Sequence, residues 1–321
     1  MEYNFSFHPY KRRFCQPLKT SQGVWKIREG IIIRLSDNSG NLGFGEIAPL
    51  PWFGSESITQ ALAFCQGLGG KFYEVEAIPQ ELPCCQFAFE SALKNRSSTP
   101  ILYRRFIKRL YPLYSYLLPA GEDALVKWRD IWDDGGRTFK WKIGVNETNK
   151  EIKIFERLIN ELPEGVKLRL DANGGLTVDN AIDWLNVCDR YPDKIEFIEQ
   201  PLSTKHFDRM LDLSKNFATA IALDESVSNL IQLEDCYRKG WRSIFVVKAA
   251  IAGSPSRLSR FIEENKIDVV FSSVFETSIG SNAVLNLAAK LNNPSRAVGF
   301  GVSHWFNEDE DDWLNSLWND L

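Results

Sequence analysis

The sequence predicts an α/β protein, a (β/α)8-type barrel behind an N-terminal α+β capping domain. Three observations predict it. From about residue 111, short apolar runs recur about one βα unit apart, at 114–118, 138–143, 167–170, 195–198, 220–223, 244–247, 269–271 and 297–300. Amphipathic stretches such as 151–160 and 178–190 separate them, which predicts alternating strands and helices. The first hundred residues follow another order, with strands first and helices after.

In chain order, 25–35 reads as a strand, Asp37-Asn38-Ser39-Gly40 as a turn and 44–47 as the returning strand of a hairpin. Helical patterns follow near 57–67 and 84–94. The expected organisation is a capping domain over 1–105, a barrel with the catalytic site over 106–302, and a C-terminal segment, 303–321, packing back on the cap. An open doubly wound sheet would need a Gly-rich phosphate turn after its first strand, and Leu118-Pro119-Ala120-Gly121-Glu122 does not supply one.

Composition narrows the function. Against 38 Lys and Arg stand 42 Asp and Glu, a net charge of −4, which argues against a nucleic-acid partner. No apolar run is long enough to span a membrane, and the first residues lack the apolar core of a secretory signal. A cytoplasmic protein with no membrane or nucleic-acid partner is expected; monomer and homo-oligomer both stay open. Cysteines at 15, 65, 84, 85, 188 and 236 form no C-x-x-C pair and read as reduced thiols in or near the core. The three histidines, His8, His206 and His304, have no i, i+4 spacing, so acid–base chemistry falls to carboxylates, lysines or tyrosines.

A barrel carries its chemistry at the C-terminal ends of its strands. Those ends hold Lys140 and Lys142, then Asp171 and Asn173, Glu199, Asp224 and Glu225, Lys248, and Ser272 with Ser273. Any one acid could cap the helix after it, but three on successive strands converge on one mouth, where they repel unless protonated or bound to a cation. All-oxygen ligands favour a hard ion, Mg²⁺ or Mn²⁺. Lys140 and Lys142 share a face because a strand has period two, and their repulsion favours a neutral amine on one of them. Lys248 is the only charge in the octapeptide 244–251, and burial disfavours its ammonium unless an anion lies beside it. A neutral lysine is a competent general base. These parts describe proton abstraction beside a small-molecule carboxylate, with the resulting charge stabilised by metal and lysine.

In order, Lys140-Trp141-Lys142, Asp171-Ala172-Asn173, Glu199-Gln200-Pro201, Asp224-Glu225-Ser226 and Lys248 resemble the strand-end motifs of the enolase superfamily, muconate-lactonizing subgroup. The resemblance covers nearly the whole chain, since 43–51 is similar to that family's capping segment and 82–93 to its helix before the barrel. Arg28-Glu29-Gly30 and the serine-rich 272–280 are similar to the o-succinylbenzoate synthase family within the subgroup. The resemblance implies Asp171, Glu199 and Asp224 as metal ligands with Glu225 behind them. It implies Lys142 as base and then acid, Lys248 as stabiliser of an enediolate from the opposite face, and Lys140 as the group that bonds the carboxylate and tunes Lys142. It places Arg28, Asn173, Ser272, Ser273, Gly299 and Gly301 at the substrate, with Ser272 or Ser273 receiving a succinyl chain, and Trp52 and Phe53 in a lid. The implied reaction is a dehydration that aromatises a hydroxycyclohexadiene carboxylate.

Two departures matter. Gly174-Gly175-Leu176 stands where many relatives carry an aromatic residue, and 297–303 carries no D-x-D, which argues against a dipeptide epimerase. Gly299 and Gly301 there would let a carboxylate approach backbone N–H groups. An N-acylamino-acid racemase or a muconate-type cycloisomerase would use the same lysines and metal, and a non-catalytic barrel scaffold is the alternative of another class. The acidic run 308–312 reads as a solvated turn or a helix start before Trp313 and Leu317, and the tryptophans outside the lid as core or interface fillers.

Overall fold

The computed structural model describes residues 2–20, 23–97, 113–291, 293–302, 305–306 and 310–319. The expected 105/106 boundary, Ser303, His304 and residues 308–309 lie outside them. β1 (Tyr3–Thr20), β2 (Gly23–Ser36), β3 (Leu42–Ile47) and the short β4 (Lys71–Phe72) form an antiparallel sheet in the order β3-β2-β1-β4. The β2–β3 turn forms where expected because the Asp37 carboxylate accepts from the N–H groups of Ser39 and Asn41. β1 was not among the expected strands. It buries Tyr3 and Phe5 on one face, then Tyr10, Arg12 and Phe14 on the other, so no single period-two pattern marks it.

Two helices pack on this sheet. α1 (Ile58–Gly67) starts at a capping box of Ser57 and Gln60. α2 (Pro83–Lys94) is held at its N-terminus by Glu56, which accepts from the N–H groups of Cys84 and Cys85. α2 crosses β3 so closely that a side-chain carbon on Gly43 or Gly45 would lie 2.0 Å from the carbonyl oxygen of Ala92 or Ala88. Glycine at both positions is a packing demand.

The second sheet is the expected barrel. Its strands are β5 (Tyr114–Leu118), β6 (Thr138–Lys142), β7 (Lys167–Asp171), β8 (Ile195–Glu199), β9 (Ile221–Leu223), β10 (Ile244–Val247), β11 (Val269–Phe271) and β12 (Val298–Gly301). All pairs are parallel, in the order β11-β10-β9-β8-β7-β6-β5-β12. A bridge between Ser272 and Gly299 brings the two ends together, with the Ser273 N–H donating to the Gly299 carbonyl at 3.0 Å. α3 (Ala124–Asp133), α4 (Thr148–Glu161), α5 (Val178–Cys188), α6 (Phe207–Asn216), α7 (Leu230–Arg238), α8 (Ala249–Ala252), α9 (Pro255–Asn265) and α10 (Ser278–Leu291) follow successive strands.

Strand alternation divides the side chains. Phe139, Trp141 and Ile143 point outward into the helix layer, where Trp141 meets Trp184 of α5 edge-on. Fully burying one such ring is worth about 1.5–3 kcal/mol. Inside the barrel, Phe197, Ala222, Ile244, Val246 and Val270 form a separate apolar plug. Glu199, Asp224, Lys248 and Ser272 each lie two residues beyond a plug residue on the same strand, so the pleat carries them to the mouth above it.

The cap is fastened to the barrel by buried carboxylates. Glu46 of β3 accepts from the Tyr10 hydroxyl at 2.5 Å, from the Thr277 N–H and hydroxyl, and from the Gly280 N–H at the start of α10. Glu90 of α2 accepts from Ser254 and Ser256 at the start of α9. α11 (Glu310–Asn319) packs Leu314 against Tyr10, Ile32 and Ile279. Arg12 lies between the rings of Phe306 and Trp313 and pairs with Glu310 at 3.0 Å. Of the acidic run 308–312, Glu310 opens a helix and joins a buried arginine. Of the six thiols, five are buried and Cys15 is exposed, so the expectation of core thiols holds for all but Cys15.

Candidate active site

β6 and β10 stand four strands apart in an eight-stranded barrel, so Lys142 and Lys248 reach the mouth from opposite sides. Of the strands between them on one arc, β7 ends in Asp171, β8 ends in Glu199 and β9 is followed directly by Asp224. Lys142 pairs in register with Asp171, and Asp171 with Glu199. All three acids are buried.

Two ammonium groups sit among them. Lys140 Nζ lies 2.7 Å from Asp171 and 2.8 Å from Glu199, and Lys248 hydrogen-bonds Asp224. Burial works against the charge of Lys140, but Asp171, Glu199 and Asp224 outweigh it and raise its pKa above the ordinary lysine value. Of the two lysines on this strand, Lys140 is therefore the one held as a cation. Lys142 has no carboxylate within salt-bridge distance among the described residues.

The acids are unequal. Burial would raise Asp171, but Lys140 prevails and lowers it. Burial pushes Glu199 up to about 8 and Asp224 to about 6, and Glu225 is raised by burial as well. Among the described residues no three acid, His or Cys side chains are drawn together tightly enough to hold a metal ion. Lys140 gathers Asp171 and Glu199, while Asp224 turns to Lys248. The donor set still fits a hard divalent ion. It is all oxygen, it comes from adjoining strands, and an ammonium already stands where a cation bridges two of its members.

The loops after these strands are cross-tied. Asn173 (φ 45°) donates its N–H to Asp171 and its side-chain amide to Glu225, whose Oε2 is buried without a partner among the described residues. Gln200, fully buried with φ 38°, donates to Ser226 at 2.8 Å and accepts from the N–H groups of Asp224 and Ser226. It locks the ends of β8 and β9 together, a role that sequence reasoning missed, although its place between Glu199 and Pro201 marked it.

Elsewhere at the mouth, Phe53 lies over Lys248, its ring centre 4.0 Å from Nζ. Trp52 remains 44% exposed and meets Trp25 edge-on. Arg28 is buried; its Nη1 donates to the carbonyls of Glu29 and Pro49, while Nε and Nη2 have no partner among the described residues. A side-chain carbon at Gly299 would lie 2.8 Å from the Ser272 hydroxyl, and one at Gly301 2.6 Å from the Ser115 carbonyl. Barrel closure therefore demands glycine there whatever binds above it. Ser272 projects inward with Val270, whereas Ser273 is buried and donates to Glu276 at 2.7 Å.

Comparisons with known proteins agree with this geometry. Residues 123–316 match the family model described as enolase C-terminal domain-like, and 15–96 match that of the MenC N-terminal domain. The chain is 41% identical to an o-succinylbenzoate synthase of Thermosynechococcus vestitus, over 92% of this chain and 91% of the relative. It superposes with a TM-score of 0.89 and 36% identity on the crystal structure of o-succinylbenzoate synthase from Thermosynechococcus elongatus complexed with Mg in the active site, covering 99% and 100% of the two chains. An L-Ala-D/L-Glu epimerase from Bacillus subtilis, at a TM-score of 0.77 and 20% identity over 95% and 91% of the chains, shares the fold. The chain belongs to the o-succinylbenzoate synthase family of the enolase superfamily.

Proposed function

We propose that this chain is a magnesium-dependent carbon–oxygen lyase. It converts 2-succinyl-6-hydroxy-2,4-cyclohexadiene-1-carboxylate to 2-succinylbenzoate and water, in menaquinone or phylloquinone biosynthesis. The observation that carries this reading is the pair of amines, Lys142 and Lys248, facing each other across a mouth whose intervening strands end in three acids.

Asp171, Glu199 and Asp224 would hold Mg²⁺, which when bound neutralises the substrate carboxylate and favours charge on it. Lys142, as the amine, takes the α-proton, and the C–H electron pair moves toward the carboxyl group. Lys248, as an ammonium under the Phe53 ring, faces the enediolate charge from the other side. Lys142, now an ammonium, returns its proton to the departing hydroxyl; the C–O bond breaks, water leaves and the ring becomes aromatic. Lys140 stays charged throughout and keeps Asp171 and Glu199 in place. The unpartnered donors of buried Arg28 suit a substrate carboxylate, and Trp52 with Phe53 forms the lid that keeps water out. The buried thiols of Cys65, Cys84, Cys85, Cys188 and Cys236, which form no disulfide among the described residues, suit a reducing compartment, and the cytoplasm is the site of action in this reading.

The test is turnover of the cyclohexadiene substrate by purified protein with Mg²⁺, read as 2-succinylbenzoate formed and lost on chelation. No product, together with deuterium wash-in at the α-carbon of N-acylated amino acids, would select a racemase instead.

A further inference from the structure

The turn between β11 and α10 carries a buried carboxylate that the mechanism above does not use. Glu276 is 7% exposed, and its Oε2 accepts from the Ser273 hydroxyl at 2.7 Å and from the Val274 N–H at 2.6 Å. Ser273 in turn accepts from the N–H of Phe275, a residue with φ 63° that only a held turn would tolerate. The proton of Ser273 is therefore committed to Glu276 and one lone pair to the backbone. Ser272 differs. Its N–H donates to the Val247 carbonyl, which places it beside Lys248, and its hydroxyl has no hydrogen-bond partner among the described residues. Facing Gly299, which has no side chain, that hydroxyl has room to reach a ligand.

We propose that Glu276 is a positioning residue for ligand binding: by gathering the Ser273 hydroxyl and the Val274 N–H on one oxygen, it fixes the turn so that Ser272 is the serine presented to the substrate. This rests on reading the mouth as the substrate site. The role requires an acceptor oxygen, not a charge. Burial pushes the Glu276 pKa up to about 7, and the other oxygen, Oε1, has no partner among the described residues, so the amide of a glutamine could stand there.

The test is a double-mutant cycle on the Mg²⁺-loaded protein, with KM, kcat and Tm measured for each variant. Ser272→Ala and Glu276→Ala should each raise KM ~10-fold, the scale of one lost hydrogen bond, with kcat within ~3-fold. The double variant should be no worse than either single one, because both act through the Ser272 hydroxyl. Glu276→Gln should restore KM to within ~3-fold of the parent. If Glu276→Ala does not fold, Ser273→Ala, which cuts the same bond, takes its place in the cycle. KM effects that multiply to ~100-fold, or a glutamine variant as impaired as the alanine, would overturn the proposal while leaving the reaction assignment standing. A parent protein with no turnover would overturn that assignment and this proposal with it.

Discussion

Two charged clusters share the inside of one barrel and differ in how fully their charges are matched. At the base, Arg169 donates to Glu196 at 2.7 Å and to the Ala297 carbonyl at 2.7 Å, while Arg296 donates to Glu196 and grips Asp268 with two nitrogens. Those bonds tie β7 and β8 to the segments that open β11 and β12, and the Phe197 ring covers Arg169. At the mouth, by contrast, Lys142 has no carboxylate partner among the described residues, Glu225 keeps an unpartnered oxygen, and burial pushes Glu199 up to about 8. The saturated cluster holds the barrel together. In the proposed reaction the unsaturated one receives a cation and a substrate, and the difference lies in hydrogen-bond satisfaction, not in burial.

Variants at the two ends should therefore separate activity from stability. Glu199→Gln should weaken Mg²⁺ binding in calorimetry and lower kcat/KM by at least ~10³-fold, with Tm in chelator unchanged or raised. Arg169→Ala should do the opposite, lowering stability by about 3–5 kcal/mol in urea titration because Glu196 loses a buried partner, with turnover per folded molecule within ~3-fold. Comparable losses of activity from both would break the contrast.

A pH series sharpens it. Burial raises the folded-state pKa of Glu199 to about 8, Asp224 to about 6 and Glu276 to about 7, all above the unfolded values. The folded protein then binds more protons than the unfolded chain between about pH 4.5 and 8, so stability falls as pH rises through that window. In chelator, Tm should be higher at pH 5.5 than at pH 8; Mg²⁺ should reverse the trend, because binding needs the ionised acids. A Tm that rises with pH in chelator would contradict the charge crowding. The smallest expected effect is at the lid, where Phe53→Ala should raise KM ~3-fold through loss of the ring over Lys248, and unchanged KM and kcat would remove Phe53 from the lid.

Much of this was readable before any coordinates. The strands β9, β10 and β11 are short apolar runs closed by a polar residue, because the outer face is buried by helices and the inner face changes from plug to mouth within two residues, as at Val246 and Lys248. What was not legible depends on groups distant in the chain. β1 escaped because it changes its buried face midway. Gln200 escaped because its partners, 224 and 226, come close only when β8 and β9 pair. The charge on Lys140 depends on three acids from other strands, so repulsion from Lys142 alone left open which of the two lysines is neutral. The division of labour between Ser272 and Ser273 needed the pleat and the Glu276 contact.

The assignment of the base is tested most directly by Lys142→Ala, with kcat and Mg²⁺ binding measured on one preparation. Turnover should fall ~10²–10⁴-fold or more while the ion still binds and the fold is intact. Turnover close to the parent's in a protein that still binds Mg²⁺ would show that the proton goes elsewhere.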